Sequence, residues 1–379
     1  MNKFKIAIIG AGSVGFTREM VKDLLSVPEF RTNMELSFTD ISEKNLDMAV
    51  KLIQRDIYAN NINIEIFATT DRREAFRDAK YVFNFVRIGG LEAFKYDVEI
   101  PLKYGVDQCV GDTLGPGGIM YGQRGIPEVL NFCRDIREVA HPDCIMLNYA
   151  NPNAMITWAC NKYGKVPTIG LCHGVQNGHK LIAEALNIPE NELDIVCAGI
   201  NHQTWYTQIR HKGMDVSGRL LEALENHPVF SKQEKVRIDM LKRFGYFSTE
   251  SNGHLSEYLP WYRKRPEEIK DWISTDIWIN GETAGYYRFC SERRNWFEED
   301  FPRWMEEEPM VYPKENIGVE HGAHIVESLE TGRLYRGHFN VVNNGVIKNL
   351  PDDAVVEVPG YVDGNGISIP LYGELPLGC

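Results

Sequence analysis

Residues 5–15 read KIAIIGAGSVG, and this stretch decides the fold. Lys5–Ile9 is a short apolar run that predicts a buried strand, and it leads directly into a loop of the form GxGxxG. In such a loop Gly10 allows a tight turn, Gly12 lets phosphate oxygens approach the backbone, and Gly15 lets the following helix pack on the strand. The start of that helix presents free amide groups to a bound phosphate. The residues predicted here to contact a dinucleotide are Gly10, Gly12, Ser13, Val14 and Gly15.

The second predicted strand, Glu35–Thr39, ends at an acidic residue, Asp40. A carboxylate in this position accepts hydrogen bonds from the adenosine ribose hydroxyls and repels a 2′-phosphate, so NAD is favoured over NADP. A tight turn followed by a helix that Asp40 caps is the alternative interpretation. The later loop VRIGG follows another strand, and we expect its glycines to pass beneath the nicotinamide half of NAD, with Val86 and Arg87 as cofactor contacts. A plain turn would explain the two glycines equally well.

Further apolar runs alternate with amphipathic segments over the first 150 residues, and Glu43–Ala59 has the spacing of a long helix. Strands that are apolar throughout, each followed by a helix, are typical of a parallel sheet covered on both faces. Right-handed crossovers then give an α/β fold with a doubly wound, Rossmann-type sheet. The other predicted strands are Ile64–Ala68, Tyr81–Val86, Cys144–Tyr149, Thr168–Cys172 and Leu193–Ala198.

From about Leu220 onward the composition and the pattern of predicted elements change. Tryptophans and acidic runs become frequent, helix-like segments occur at 232–244 and 320–330, and strands punctuated by Gly and Pro follow near 355–370. We predict a second α+β region packed on the carboxyl edge of the sheet. The predicted division is an NAD-binding Rossmann-like domain at residues 1–200 and an α+β substrate-binding and oligomerisation domain at residues 201–379.

Composition excludes several classes of function. The 379 residues contain 41 Lys and Arg against 53 Asp and Glu, so the formal net charge is −12. A chain this acidic has no overall attraction for nucleic acid or an anionic membrane, and no apolar run approaches the roughly 20 residues of a membrane span. The 8 cysteines form no CxxC motif and no dense framework. We therefore expect a cytoplasmic protein with reduced thiols and no nucleic-acid or membrane partner.

Two loops predicted to lie at the ligand-binding edge of the sheet carry candidate substrate contacts. Asp112 stands among glycines in GDTLGPGG, which suits the wall of a pocket, although a surface loop is the alternative. Asn151 and Asn153 belong to NYANPN, and an amide can donate to one sugar hydroxyl and accept from another. Asn-Pro is equally a turn signal.

Two further loops carry candidate metal ligands. Cys172 follows the strand TIGLC, and His202 lies in AGINHQTW. A thiolate and an imidazole suit Mn, Fe, Co, Ni or Zn, and two protein ligands would leave open positions for substrate oxygens. Nothing local proves such a site, because a buried cysteine or a single histidine is more often structural.

These motifs together resemble the NAD- and metal-dependent glycosidases of glycoside hydrolase family four. The segments GYFSTES, SEYLPW and NLPDDAVVEV are similar to those of the α-galactosidases in that family. The segments that carry the family resemblance, in order along nearly the whole chain, are GAGSVGF (10–16), DTLGPGGI (112–119), NYANPN (148–153), GLCHGV (170–175), AGINHQTW (198–205) and GYFSTESNGHLSEYLPW (245–261).

The resemblance implies a role for particular residues. It implies that Cys172 and His202 bind a divalent metal, usually Mn²⁺, that Asn151 and Asn153 contact the substrate, and that the tyrosine of the SEY segment, Tyr258, is the base. His173 occupies the position of the acid in relatives that carry Asp there, and a histidine at this position suggests a non-phosphorylated glycoside. A homodimer or homotetramer is also implied.

The mechanism that the resemblance implies begins with hydride transfer from C3 of the sugar to NAD⁺. Tyr258, with a pKa lowered by metal charge, would then remove the C2 proton. The C1–O bond would break by elimination, with His173 or a water as proton donor, before water adds at C1 and the hydride returns. The expected activity is an α-galactosidase, with an α-glucosidase, an α-glucuronidase or an α-galacturonidase as alternatives. From other classes, an NAD-dependent dehydrogenase of a hydroxy acid or sugar alcohol, and an inactive NAD- or sugar-binding protein, remain open.

Overall fold

The glycine-rich loop lies at the centre of a parallel sheet. The computed structural model describes residues 2–274, 278–294, 296–314, 318 and 320–379. Six strands run parallel in the spatial order β3-β2-β1-β4-β5-β6, which is the order of a doubly wound dinucleotide-binding sheet. The predicted Rossmann-type α/β fold is therefore confirmed. The six strands are β1 (Phe4–Ile9), β2 (Met34–Thr39), β3 (Ile66–Thr69), β4 (Tyr81–Asn84), β5 (Ile145–Asn148) and β6 (Thr168–Gly170).

Antiparallel strands extend this sheet in the order β6-β11-β12-β7-β8-β10, while β9 and β13 pair with β8 and β12. The strand predicted at Leu193–Ala198 forms part of β7 in this sheet, and two strands from the C-terminal part lie between it and β6. The predicted boundary at residue 200 falls in the turn between β7 and β8, and the domain division stays a prediction. These strands are β7 (Leu193–Ile200), β8 (Gln203–His211), β9 (Met214–Asp215), β10 (Phe247–Ser248), β11 (Tyr335–Val342), β12 (Val355–Asp363) and β13 (Gly366–Ser368).

Helices cover both faces of the sheet and connect its parallel strands. The predicted helix at Glu43–Ala59 has these bounds in the structure, and Ser42 caps it by accepting a hydrogen bond from the Asn45 amide. None of the described helices is both long and apolar enough to cross a membrane. The helices are α1 (Val14–Leu25), α2 (Phe30–Asn33), α3 (Glu43–Ala59), α4 (Arg72–Phe76), α5 (Gly90–Lys103), α6 (Gly115–Val139), α7 (Asn153–Ala159), α8 (Gly174–Leu186), α9 (Leu220–Asn226), α10 (Phe230–Gln233), α11 (Lys235–Phe244), α12 (Asn252–Tyr258), α13 (Pro266–Trp272), α14 (Gly285–Glu292), α15 (Trp296–Glu306) and α16 (His321–Thr331).

The sheet brings distant parts of the sequence to one edge. The loops after β1, β4, β5 and β6 all leave the carboxyl ends of parallel strands, which is where open α/β sheets bind ligands. The turn between β7 and β8 and the segment after β10 reach the same region from the C-terminal part. The site described below is built from these six connections, together with Asp40 after β2, Tyr258 at the end of α12 and Glu320 before α16.

Candidate active site

The loop after β1 forms a cradle in which Gly10 and Gly12 leave the backbone uncovered. Gly10 has φ +83°, and a Cβ atom there would lie 2.9 Å from the backbone carbon of Phe85. A Cβ atom on Gly12 would lie 2.7 Å from an oxygen of Asp40, so both positions require glycine. Ser13 completes the cradle at the start of α1.

A cavity of about 1180 Å³ opens in front of this cradle. Asp40 lies on its wall, where its carboxylate accepts hydrogen bonds from the Gly12 and Ser42 amides, both at 2.8 Å. Six of the eight residues predicted to bind NAD line the cavity, namely Gly10, Gly12, Ser13, Asp40, Val86 and Arg87. Val14 is buried in α1 and Gly15 faces Trp296, so these two support the helix packing. The bare backbone, the helix start and the acidic wall suit an unphosphorylated dinucleotide.

Three potential metal ligands converge at the ends of β6, β7 and β10. Cys172 Sγ and His202 Nε2 each lie 3.9 Å from Glu250 Oε1, and one ligand atom from each residue lies within 4.8 Å of the others. His202 and Glu250 are buried, and Cys172 is half-buried. Thiolate, imidazole and carboxylate are a donor set for a divalent transition metal, so these residues fit the implied ion.

Charges within this group are strongly coupled. Burial lowers the pKa of His202, but Glu250 and Cys172 outweigh burial and raise it to about 10. Burial raises the pKa of the Cys172 thiol, although His202 opposes this effect. Burial also works against ionisation of Glu250, yet His202 and His254 keep its pKa below the ordinary value. At neutral pH the metal-free group therefore holds a protonated imidazole, a protonated thiol and a carboxylate.

A second cavity, of about 810 Å³, has this group on its wall. Asn151 and His173 also line it, as predicted for substrate-facing residues. Four residues line both cavities, so the cofactor groove and the second cavity meet at one point. The shared residues are Ser13, Phe85, Val86 and Arg87.

His173 is held by a carboxylate that sequence analysis did not identify. Its Nε2 lies 2.9 Å from both carboxylate oxygens of Glu320, which directly precedes α16. Burial lowers the pKa of His173, but the hydrogen bond and charge of Glu320 raise it above its ordinary value overall. The ring therefore tends to carry a proton, as a proton donor must.

Tyr258 ends α12 beside the metal-ligand group. Its hydroxyl lies 3.5 Å from His202 Nδ1, and the two rings stack with centroids 6.3 Å apart. Burial, followed by the charges of Glu257 and Asp112, raises the pKa of Tyr258 well above its ordinary value. The predicted lowering of this pKa is therefore not produced by the protein groups, which act in the opposite direction.

Tyr258 does not line the second cavity, and neither do two predicted substrate contacts. Asp112 is 1% exposed and lies behind Arg87 and Asn151, which do line it. Asn153, also 1% exposed, donates its amide to the Asn148 and Leu171 carbonyls and so fixes the ends of β5 and β6. The structure gives both residues a supporting position, and direct contact with a substrate stays a prediction.

Comparison with known proteins identifies the family. Residues 5–188 match the family described as "Family 4 glycosyl hydrolase", and residues 197–379 match "Family 4 glycosyl hydrolase C-terminal domain". The chain belongs to glycosyl hydrolase family 4. The predicted family and the predicted glycoside hydrolase class are thereby confirmed.

Similar proteins within the family include two α-galactosidases. The family 4 chain is 58% identical to the α-galactosidase of Rhizobium meliloti (strain 1021), over 100% of this chain and 77% of that protein. It is 33% identical to the α-galactosidase of Bacillus subtilis (strain 168), over 98% and 84% of the two chains. A 6-phospho-β-glucosidase from Thermotoga maritima, solved with manganese, NAD⁺ and glucose-6-phosphate, superposes with a TM-score of 0.77 at 27% identity, over 99% of this chain and 85% of that chain.

Mn²⁺ binding to the family 4 enzyme should strengthen steeply as pH rises. A metal at Cys172 and His202 displaces the proton of each, and both groups are protonated at neutral pH. Release of two protons lowers the dissociation constant by up to about 100-fold per pH unit, since each proton contributes about tenfold. Titration calorimetry in buffers of different ionisation enthalpy counts the released protons directly. A dissociation constant independent of pH would contradict this charge assignment.

Proposed function

We propose that this family 4 enzyme hydrolyses non-phosphorylated α-galactosides with bound NAD and a divalent metal such as Mn²⁺. The observation that carries the proposal is that the second cavity has Cys172, His202 and Glu250 on its wall and shares four lining residues with the cofactor groove. A sugar in the second cavity lies next to both the cofactor groove and the candidate ligands. Similarity to the two α-galactosidases supports the choice of sugar.

The chain has residues that would bind NAD and residues that would bind the metal. The glycine cradle and Asp40 would hold NAD, and Cys172, His202 and Glu250 would hold the metal. When bound, NAD supplies a hydride acceptor for C3 of the sugar, and the metal supplies a Lewis acid that acidifies the neighbouring C2–H bond. The glycosidic bond is then cleaved by elimination rather than through the two-carboxylate route of other glycosidases.

Residues of the chain handle the protons. Tyr258 accepts the proton from C2, and its position against His202 supports this role. His173 donates a proton to the glycosidic oxygen as the C1–O bond breaks. Glu320 orients that imidazole and favours its charged form. Asn151, on the cavity wall, offers its amide to the sugar hydroxyls.

The charges of the second cavity favour a neutral sugar. Arg87 and Arg237 line it, and each is already paired, Arg87 with Asp112 at 3.0 Å and Arg237 with Glu234 at 3.1 Å. No lysine lines it in the part of the chain that the structure describes. Among the described lining residues His173 and His202 likewise have carboxylate partners, Glu320 and Glu250, so a phosphate or a uronate carboxylate would compete with these carboxylates for each protein cation. A galactoside is therefore favoured over a uronide, and an α-glucoside is the remaining alternative.

We further propose a cytoplasmic homodimer or homotetramer. All 8 cysteines are free, and an oxidisable Cys172 ligand requires a reducing compartment. The second half of α5 and the turn after it expose large side chains, including Tyr96 at 58% and Tyr104 at 83% exposure, as an interface between subunits would.

A panel of p-nitrophenyl α- and β-glycosides, assayed with NAD⁺, Mn²⁺ and a thiol, tests the proposed activity. We expect the α-galactoside to be cleaved fastest, and cleavage to stop when NAD⁺ or the metal is withdrawn. Cleavage that survives EDTA and removal of NAD⁺ would contradict the proposal. A preference for galacturonide over galactoside would contradict the neutral-sugar assignment.

A further inference from the structure

The loop before Asp112 is held by a carboxylate from the C-terminal part of the chain. Glu257 accepts hydrogen bonds from three consecutive backbone amides, those of Cys109 at 2.6 Å, Val110 at 2.6 Å and Gly111 at 2.9 Å. Burial raises the pKa of Glu257 to about 7, against the effect of the amide hydrogen bonds. A carboxyl group that receives three amide hydrogens is a directional anchor, because buried amides need acceptors, and it is strongest in its charged form above that pH. The anchored amides define where the next residue, Asp112, can lie.

Asp112 in turn positions two residues on the wall of the second cavity, Arg87 and Asn151. Its Oδ2 accepts from Arg87 Nη2 at 3.0 Å, and the Asn151 amide lies 3.4 Å from both of its oxygens. Arg87 is packed against three aromatic rings, with the guanidinium carbon 4.5 Å from the Phe94 centroid. Arg87 and Asn151 thus depend on Asp112 for their place, and Asp112 depends on the loop.

The same turn of α12 carries the anchor and the proposed base, since Glu257 directly precedes Tyr258. We propose that Glu257 is a positioning residue, which locks the Asp112 loop to α12 and so keeps Arg87 and Asn151, on the cavity wall, in register with Tyr258 beside His202. Glu257 does not line the cavity and would not touch the sugar. Its role is to connect the loop at residues 109–111, in the N-terminal part of the chain, to α12 in the C-terminal part.

A second contact should keep the loop folded when the anchor is weakened. Arg263 donates from Nε to Asp107 Oδ1 at 2.8 Å and from Nη1 to the Gly281 carbonyl at 2.8 Å. Glu257→Gln leaves this contact intact, while it removes the charge and turns one acceptor oxygen into an amide donor that faces other donors. The substitution therefore loosens residues 109–111 selectively.

Hydrogen–deuterium exchange of the peptide that spans residues 107–113 tests the anchor without any assay of activity. In Glu257→Gln the amides of residues 109–111 should exchange about tenfold faster or more, because their acceptor is weakened. Glu267→Gln, an exposed change on nearby α13, is the matched control and should leave this peptide unchanged. Glu257→Asp keeps the charge and should restore part of the protection. Unchanged exchange at residues 109–111 in Glu257→Gln would overturn the proposal.

A double-mutant cycle tests the positioning role, and this part rests on the proposed function. Glu257→Gln should lower kcat/KM for the α-galactoside by about tenfold or more, mainly through KM, while Mn²⁺ binding stays unchanged. In an Asp112→Asn background the same change should cost less than about threefold, because the link to Arg87 is already broken. Equal losses in both backgrounds would overturn the positioning role. An inactive wild-type enzyme would instead contradict the proposed function, and the exchange experiment would still decide the anchor.

Discussion

Tyr258→Phe should lower the rate of α-galactoside cleavage by about 1000-fold, because removal of a general base typically costs 10²–10⁴ in rate. The substitution keeps the ring that stacks on His202 and removes only the hydroxyl 3.5 Å from Nδ1. In D₂O the wild-type enzyme should incorporate solvent deuterium at C2 of the released sugar, and the variant should not. Proton NMR of the product measures this incorporation.

Tyr262→Phe is the matched control for this experiment. Tyr262 is buried just after α12 and donates its hydroxyl to Asp239 at 2.8 Å, away from the metal-ligand group. Its loss should lower stability by about 1 kcal/mol and leave deuterium incorporation intact. Persistent exchange at C2 in Tyr258→Phe would show that another group removes the proton.

Cys172→Ser and Glu250→Gln should each weaken Mn²⁺ binding by about 100-fold or more, since even outer partners of a metal site contribute 10- to 100-fold. Cys172 offers a soft donor and Glu250 a charge, and neither substitute replaces what is lost. The two variants should differ with Co²⁺. Glu250→Gln should retain the thiolate-to-cobalt absorption band at high metal concentration, and Cys172→Ser should lack it.

Binding is measured by electron paramagnetic resonance of free Mn²⁺, so the readout does not depend on activity. Cys379→Ser removes a thiol that is not part of the group and should bind Mn²⁺ as the wild type does. Wild-type affinity in Glu250→Gln would leave Cys172 and His202 as the only ligands of this group. Wild-type affinity in Cys172→Ser would contradict the site altogether.

The parallel half of the fold could be predicted because its signals are local. GxGxxG follows a strand and precedes a helix, and Glu43–Ala59 has both an amphipathic pattern and a serine cap. The place of β11 and β12 could not be predicted, because strand order depends on contacts between residues far apart in sequence. Asn340 pairs with Gly170, and Glu357 pairs with Gly199, across more than a hundred residues.

The candidate site, too, could be predicted only where the signal is local in sequence. Cys172 and His202 stand in distinctive motifs, but Glu250 lies in a segment, GYFSTES, whose letters give no hint of a ligand. Only the fold brings its carboxylate to the other two atoms. Asp112 and Asn153 have residue types that suit sugar binding, yet their neighbours satisfy their hydrogen bonds inside the protein. Sequence specifies which groups are present, and burial decides which of them face the cavity.

Simultaneous recording of p-nitrophenol release and NADH absorbance during cleavage of the α-galactoside tests the central claim most directly. If the cofactor accepts a hydride and returns it within each turnover, many equivalents of p-nitrophenol should appear with no net NADH, and only when NAD⁺ is present. NADH that accumulates in step with turnover would identify a dehydrogenase. Release of p-nitrophenol without any NAD⁺ would remove the cofactor from the mechanism.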